Sequence, residues 1–261
     1  MIDCENPKDN RLLAALAEDD WDRWAPQLER VDLKLGQVLY EQDRAQRHAY
    51  FPTSAIVSLV YVLRSGASTG IAIVGNEGVV GTSLLLGSAT TAGHGAVLIA
   101  GQAFRIGAQL IREELCRSVS VMHLLLRYTQ TLFTQITQTA VCNRHHSIDQ
   151  QVCGWLLHSL DRLRGSEVVV TQEVLASMLG VRREGVTEAA GRLQAAGLIR
   201  YARGHIAVLD RDGLEQRACE CHAVVKTAYD RLFRRDVATG QIPPRSPIAF
   251  TASDRRQVHA A

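Results

Sequence analysis

Hydrophobic spacing divides the chain into stretches of different period. Residues 1–30 place Leu12, Leu13, Leu16 and Trp24 at rough helical intervals, with polar residues between them. From Val31 the period falls to two, and Val31, Leu33 and Leu35 alternate with Asp32 and Lys34. The runs VLY at 38–40, AIVSLVYVL at 55–63, TGIAIV at 69–74 and GAVLIAG at 95–101 follow, separated by glycines and polar residues. Short apolar strands broken by glycine turns predict a β-sandwich or jelly roll.

From Ile111 to His146 glycine and proline vanish. Val119, Met122, Leu126, Thr129, Phe133, Ile136 and Ala140 then recur at alternating spacings of three and four, a heptad-like stripe on one long helix. A second stripe runs through Val121, Leu125, Tyr128 and Leu132. A helix with two apolar faces must bury both, which predicts the roll on one side and a second copy of the chain on the other. Burial inside one large domain is the alternative. A further helix is expected over 148–165, with Val152, Leu156 and Leu160 on one face and Gly165 as its stop. Beyond Asp236 the chain is rich in Pro, Arg, Ser and Ala, and Pro243, Pro244 and Pro247 forbid regular helix, so a mobile tail is expected.

Residues 170–209 carry the most specific pattern. Thr171 can cap a short helix with Glu173 in its first turn, and Val174, Leu175, Met178 and Leu179 supply its apolar face. Gly180 suits a left-handed stop, and Val181 can plug the corner. A second helix is expected from about Arg183 to Ala196, facing inward through Val186, Ala190 and Leu193, with Gly197 closing it. Two such helices across a short glycine-led turn form a helix-turn-helix, whose second helix can enter the major groove by its N-terminus. Its first turn would present Arg182, Arg183, Glu184, Thr187 and Glu188. Arginine pairs with the two acceptors of guanine, glutamate accepts from the cytosine amino group, and Thr187 suits a thymine methyl or a phosphate. Arg192, farther along, suits the DNA backbone. Two alternating strands around Arg203-Gly204 then make a wing, with Arg203 and His205 at its tip for phosphate contact. Thr171 joins this set of DNA-binding candidates at the start of the first helix.

Composition narrows the picture further. A net charge of +2 means that any nucleic-acid footprint is local, and 46% apolar residues suffice for hydrophobic cores. No apolar run reaches membrane-spanning length, and the first residues lack the basic and apolar regions of a secretory signal. Six scattered cysteines suggest reduced thiols in a cytoplasmic protein without a membrane partner.

At LASMLGVRREGVTEAAGRLQAAGLI (175–199) and YFPTSAIVSL (50–59) the chain resembles the Crp/Fnr family of bacterial transcriptional regulators, over about residues 15–235. The resemblance implies an α+β fold: a cyclic-nucleotide-binding-like β-roll or jelly roll over 1–110, a long dimerisation helix over 111–147, and a winged helix-turn-helix over 148–235, before a tail over 236–261. It implies a homodimer on a two-fold symmetric operator in double-stranded DNA, with RNA polymerase and a small-molecule effector as further partners. Arg183 and Glu184 match the family's arginine-glutamate pair. Glu188 stands where arginine is common, and Arg182 replaces a small N-cap residue, so the half-site should differ from the common one.

Family members that bind cyclic nucleotides hold the ribose with a glutamate and the phosphate with an arginine. The corresponding stretch here, GNEGVVGTSLLLGSATTAGHGAV (75–97), contains no Arg or Lys. A buried phosphate without a cation is costly. The roll therefore reads as a degenerate sensor, with Glu77, Thr82, Ser83, Thr90 and Thr91 left as effector-pocket candidates and no cyclic AMP binding expected. An iron–sulfur cluster is not expected, because only Cys4 lies near the N-terminus and ligation needs about four thiolates. No histidine among His48, His94 and His123 stands out as a haem ligand.

The CxCH sequence of Cys219, Cys221 and His222 sits in a stretch with a helical stripe of Leu214, Ala218, Cys221, Val225, Ala228 and Leu232. On a continuous helix Cys219 and His222 share a side and Cys221 does not, so Cys221 reads as a small core residue and no metal or other cofactor is assigned. His145-His146 reads as a polar junction. Catalysis is not expected: His48 and His94 are too far apart for a cupin-type metal site, and phosphate-loop, GxSxG and HExxH motifs are missing. The competing reading is an effector- or redox-sensing interaction module whose DNA binding is weak or lost.

Overall fold

The computed structural model describes residues 6–88, 90–163 and 165–234. The tail from Asp236 lies outside the described residues. After a 3-10 turn at Pro7–Asp9 come α1 (Arg11–Ala14), α2 (Glu18–Trp24) and a second 3-10 turn at Ala25–Gln27. Asn10 explains how these helices seat. Its Oδ1 accepts from the N–H groups of Leu12 and Leu13, capping α1, while its Nδ2 donates to the carbonyls of Pro52 and Gly78 in the roll.

The roll is built from β1 (Glu29–Leu33), β2 (Val38–Tyr40), β3 (His48–Pro52), β4 (Ile56–Val62), β5 (Ser68–Val74), β6 (His94–Ile99) and β7 (Gly101–Gly107), with α3 (Thr82–Leu85) between β5 and β6. One antiparallel sheet has the order β1-β7-β3 and the other β2-β6-β4-β5. Their facing sides supply Leu33, Phe51, Val57, Val74, Val97 and Phe104 to one core. The second half of the first sheet, β3 and β7, carries little alternation in its sequence. Gln102 and Arg105 lie between small and aromatic residues, and pairing to β1 (Arg105 opposite Glu29) fixes the strand.

The helix expected to run unbroken from Ile111 is two helices, α4 (Ala108–Arg117) and α5 (Val119–His145). Ser118 breaks it: the backbone there is extended and its hydroxyl accepts from the N–H of Val121. Serine competes with the helical backbone for its own hydrogen bonds, and here the cap wins. Along α5 the stripe Val121, Leu125, Tyr128 and Leu132 is buried against the roll. The other stripe stays open, with Val119, Leu126 and Phe133 exposed by 62%, 46% and 63%.

α6 (Ile148–Leu160) ends five residues before Gly165, at Asp161 and Arg162, whose side chains are engaged elsewhere. Then follow β8 (Glu167–Val169), α7 (Gln172–Leu179), α8 (Arg183–Ala195), β9 (Ile199–Ala202), β10 (His205–Val208), α9 (Arg211–Arg217) and α10 (Glu220–Phe233). The small sheet has the order β8-β10-β9. A second core gathers Val152, Leu156, Leu175, Val186, Leu193 and Ile206, joined by Ile56, Ile73 and Leu98 of the roll. The stretch read as one helical stripe from Leu214 to Leu232 is split at Ala218–Cys219, where both residues are extended. α10 leaves the helix-turn-helix and returns to α5: Val225, Tyr229 and Leu232 enter the first core, and Arg127 donates to the carbonyls of Arg231 and Leu232.

Candidate nucleic-acid interface

The local sequence explains the geometry of the helix pair. Thr171 accepts from the N–H of Val174 and caps α7, and Gly180 ends it in the left-handed region at φ +67°. Arg182 stands at the N-cap of α8 with no side-chain cap, so the first N–H groups of α8 are left for an anion or water. Val186, Ala189, Ala190 and Leu193 face the second core. That orientation turns Arg182, Arg183, Glu184, Thr187 and Glu188 to solvent on one side of α8.

Two members of this set are partly committed. The Thr187 hydroxyl lies 2.8 Å from Gln172 Oε1 and 3.0 Å from the carbonyl of Arg183. Gln172, absent from the sequence-based set, thus ties the start of α7 to α8. Arg192 makes a two-pronged contact with Asp149 of α6 at 2.6 and 2.9 Å and lies 3.7 Å from Glu188. The hydrogen bond from Arg192 is the main reason the Asp149 carboxyl sits below its ordinary pKa. The wing turn holds Arg203 at φ +50° and Gly204 at φ +83°, the two positive values of a tight two-residue hairpin. Arg203 and His205 are exposed at its tip.

The five effector-pocket candidates each have their own surroundings. Glu77 is buried and faces the end of α6, where Arg162 Nε donates to its Oε1 at 2.7 Å and Gly75 N–H donates to its Oε2 at 3.1 Å. The remaining guanidinium nitrogens of Arg162 donate to the carbonyl of His158 and to Gln135 Oε1, which also accepts from the Tyr229 hydroxyl. Ser83 donates to Gln46 Oε1, Thr82 opens α3, Thr90 is exposed, and the carbonyl of Thr91 accepts from Asp43. The buried Glu77 carboxylate thus takes its cation from Arg162, 85 residues away in the chain. A side chain just past the end of a helix gives no sequence signal of such a contact.

The roll also touches the helix-turn-helix directly. Ser68 and Ser177 hydroxyls lie 2.9 Å apart, and Ser58 donates to the sulfur of Met178. A cleft between the two is lined by Ile73, Gln138, Trp155, His158, Met178 and Cys142. At its edge the CxCH residues part company. His222 Nε2 lies 2.9 Å from Asp161 Oδ2 and its ring 5.0 Å from that of His158, while Asp161 also accepts from Arg211. Cys219 and Cys221 instead meet Cys142 of α5 and His146, the residue that caps its C-terminus. The pairing of Cys219 with His222 expected on a continuous helix fails because Cys219 precedes the first turn of α10. Burial first, and then the neighbouring thiol of Cys219, push the Cys221 thiol up to about 11.

A family model of the Crp-like helix-turn-helix domain matches residues 150–217. A comparison with curated proteins finds no match. Among solved structures, FixK2 from Bradyrhizobium japonicum aligns with a TM-score of 0.63 at 14% identity, over 74% of this chain and 98% of that one. TTHB099, a CRP-family transcriptional regulator from Thermus thermophilus, aligns with a TM-score of 0.59 at 19% identity, over 73% and 96%. The c-di-GMP responsive global regulator CLP of Xanthomonas campestris aligns with a TM-score of 0.56 at 16% identity, over 74% and 99%. At these identities the likeness is one of fold. No helix among the described residues is long and apolar enough to cross a membrane.

Proposed function

We propose that this chain, of the Crp/Fnr type in its fold and its helix-turn-helix domain, is a homodimeric transcriptional regulator that reads a two-fold symmetric DNA operator. The observation that carries the reading is the solvent face of α8. Arg182, Arg183, Glu184, Thr187 and Glu188 lie together on the exposed side of a helix whose opposite side is packed and whose N-terminal N–H groups lack a side-chain cap. Arg183 and Glu184 read base edges; Thr171, Arg203 and His205 hold phosphates. Arg192 props α8 against α6 through Asp149 and shares its charge with the DNA backbone.

The dimer follows from α5. Val119, Leu126 and Phe133 repeat every seven residues and are open in a single chain. A second copy would cover this stripe, and a symmetric dimer suited to the operator would present two α8 helices to successive turns about 34 Å apart. The buried pairing of Glu77 with Arg162 supports a roll that does not take cyclic AMP, because a protein guanidinium occupies the carboxylate that would hold a ribose.

Selection of bound sequences from a random duplex library, at fixed near-physiological salt and without added ligand, tests this. Recovery of an inverted repeat with half-sites one helical turn apart is expected. Recovery of single, asymmetric sites, or of no sequence above non-specific binding in buffer and in cell extract, would refute it.

A further inference from the structure

Four potential metal ligands converge where α5 ends and α10 begins. Cys142 lies in the last turn of α5, and His146 is its extended C-cap residue, whose N–H donates to the Cys142 carbonyl. Cys219 is the extended N-cap residue of α10 and Cys221 lies in its first turn. The three sulfurs and one imidazole nitrogen all lie within 4.8 Å of one another. Cys142 Sγ is 3.5 Å from Cys219 Sγ, and Cys221 Sγ is 3.6 Å from His146 Nδ1. Zinc–sulfur bonds of about 2.3 Å at tetrahedral angles put ligand atoms about 3.7 Å apart, so these separations match the edges of one coordination tetrahedron.

We propose that Cys142, His146, Cys219 and Cys221 bind one zinc ion in a closed Cys₃His site. Three soft thiolates and an imidazole in tetrahedral array select zinc over oxygen-preferring cations. Binding exchanges three S–H bonds for three S–metal bonds and releases three protons, with no change of oxidation state. The imidazole is oriented for the task. With Nδ1 turned to the sulfurs, Nε2 lies 3.5 Å from the Glu220 carboxylate, the outer partner that fixes the ring of a metal-bound histidine. Gln151 holds the capping residue in place by donating to the carbonyl of His146. A disulfide between Cys142 and Cys219 would leave Cys221, His146 and Glu220 without a common role.

The neighbouring cluster of His158, Asp161 and His222 is not a second such site. Arg211 and His222 already share the Asp161 carboxylate, and a cation there would face a guanidinium.

The site is also placed to act. It staples α10, which lies beyond the matched helix-turn-helix domain, to the end of the long helix immediately before Ser147, where the chain passes into α6. An ion there fixes the junction between the roll and the DNA-binding part. Loss of the ion frees α10 at one end.

The test uses the full chain, purified under reducing conditions without chelators. Elemental analysis is expected to find one zinc per chain. Replacement by cobalt should give thiolate-to-cobalt charge-transfer absorption with the strong ligand-field bands of a tetrahedral site. Cys219→Ser should abolish stoichiometric zinc, whereas Cys116→Ser, at an exposed cysteine outside the cluster, should retain it. Glu220→Gln should weaken zinc affinity by about 10- to 100-fold. Chelation of the wild type should raise amide exchange in α10 and the last turns of α5. The proposal is overturned if the reduced wild-type chain neither contains zinc nor gives the cobalt charge-transfer band. Retention of stoichiometric zinc by Cys219→Ser, or a Cys142–Cys219 disulfide in metal-free protein that cobalt cannot enter after reduction, would overturn it equally. The cobalt spectrum of the wild type decides the matter even if a cysteine variant does not fold.

Discussion

Removing either partner of the Arg162–Glu77 pair tests whether the roll and the DNA-binding part are bolted together by a buried charge. Both side chains are nearly inaccessible, at 3% and 4% exposure, and the contact is short at 2.7 Å. Arg162→Met keeps most of the volume and leaves the Glu77 carboxylate with one backbone N–H as its remaining partner. An unpaired buried charge of this kind costs about 3–5 kcal/mol. Glu77→Gln keeps the shape and the bond to Gly75 while removing the charge, and should cost about 1–3 kcal/mol, the penalty of a damaged buried hydrogen-bond network. The double variant removes both charges, so its cost should fall short of the sum by at least about 1 kcal/mol. Urea unfolding followed by tryptophan fluorescence provides the assay, since Trp24 reports the first core and Trp155 the second. The pair is sealed from solvent, so raising the salt concentration should leave the coupling nearly unchanged. Additive single effects, each below about 1 kcal/mol, would refute the reasoning and mark the contact as a solvated one.

Four further outcomes are expected. Arg183→Ala should weaken operator binding by about 1–3 kcal/mol and relax choice at one base pair per half-site, whereas an equal loss on all sequences would make Arg183 a phosphate contact. Phe133→Glu should dissociate the dimer in sedimentation equilibrium, since two buried phenylalanines supply about 3–6 kcal/mol, and a dimer of unchanged strength would move the interface off α5. Gly78→Ala should destabilise the chain by about 1–3 kcal/mol in thermal unfolding, because a Cβ there would lie 2.5 Å from the hydroxyl of fully buried Tyr128; a neutral result would mean that the helix shifts freely. Burial, then Arg162 and His222, hold His158 well below its ordinary 6.5, so the folded chain binds fewer protons there than the unfolded one. Stability should fall as pH drops below about 6.5, by about 1.4 kcal/mol per unit of pKa depression, and His158→Gln should flatten that slope in urea titrations between about pH 5 and 6.5.

Much of the fold could be read from local rules. β2, the body of β4 and β5, the cap at Thr171, the stop at Gly180 and the two-residue wing turn all follow from period, capping and glycine conformation. β3, β7 and β8 escaped the pattern because pairing with distant strands, rather than alternation, holds them. The breaks at Ser118 and Ala218–Cys219 escaped for a related reason. Apolar spacing reports which residues are buried and not whether the helix between them is continuous, so one extended residue at Ser118 and two at Ala218–Cys219 leave no mark on it. The exposed face of α8 was legible because it depends on neighbours in sequence. The partners of Glu77 and of the cysteines were not, since each lies more than seventy residues away.

Those distant partners share one physical theme. Several polar contacts gather near the ends of α5 and α6: Arg162 with Glu77 and Gln135, His222 with Asp161, and Cys219 and Cys221 with Cys142 and His146. Ordinary apolar burial would hold these elements together with less directional demand. Charged and ligand-forming groups add a requirement on geometry, because each loses most of its value when displaced by about an ångström. A ligand that competed for the Glu77 carboxylate would first have to displace Arg162 from it. Under the proposed regulator reading, a signal acting through this junction would break, protonate or strip one of these contacts.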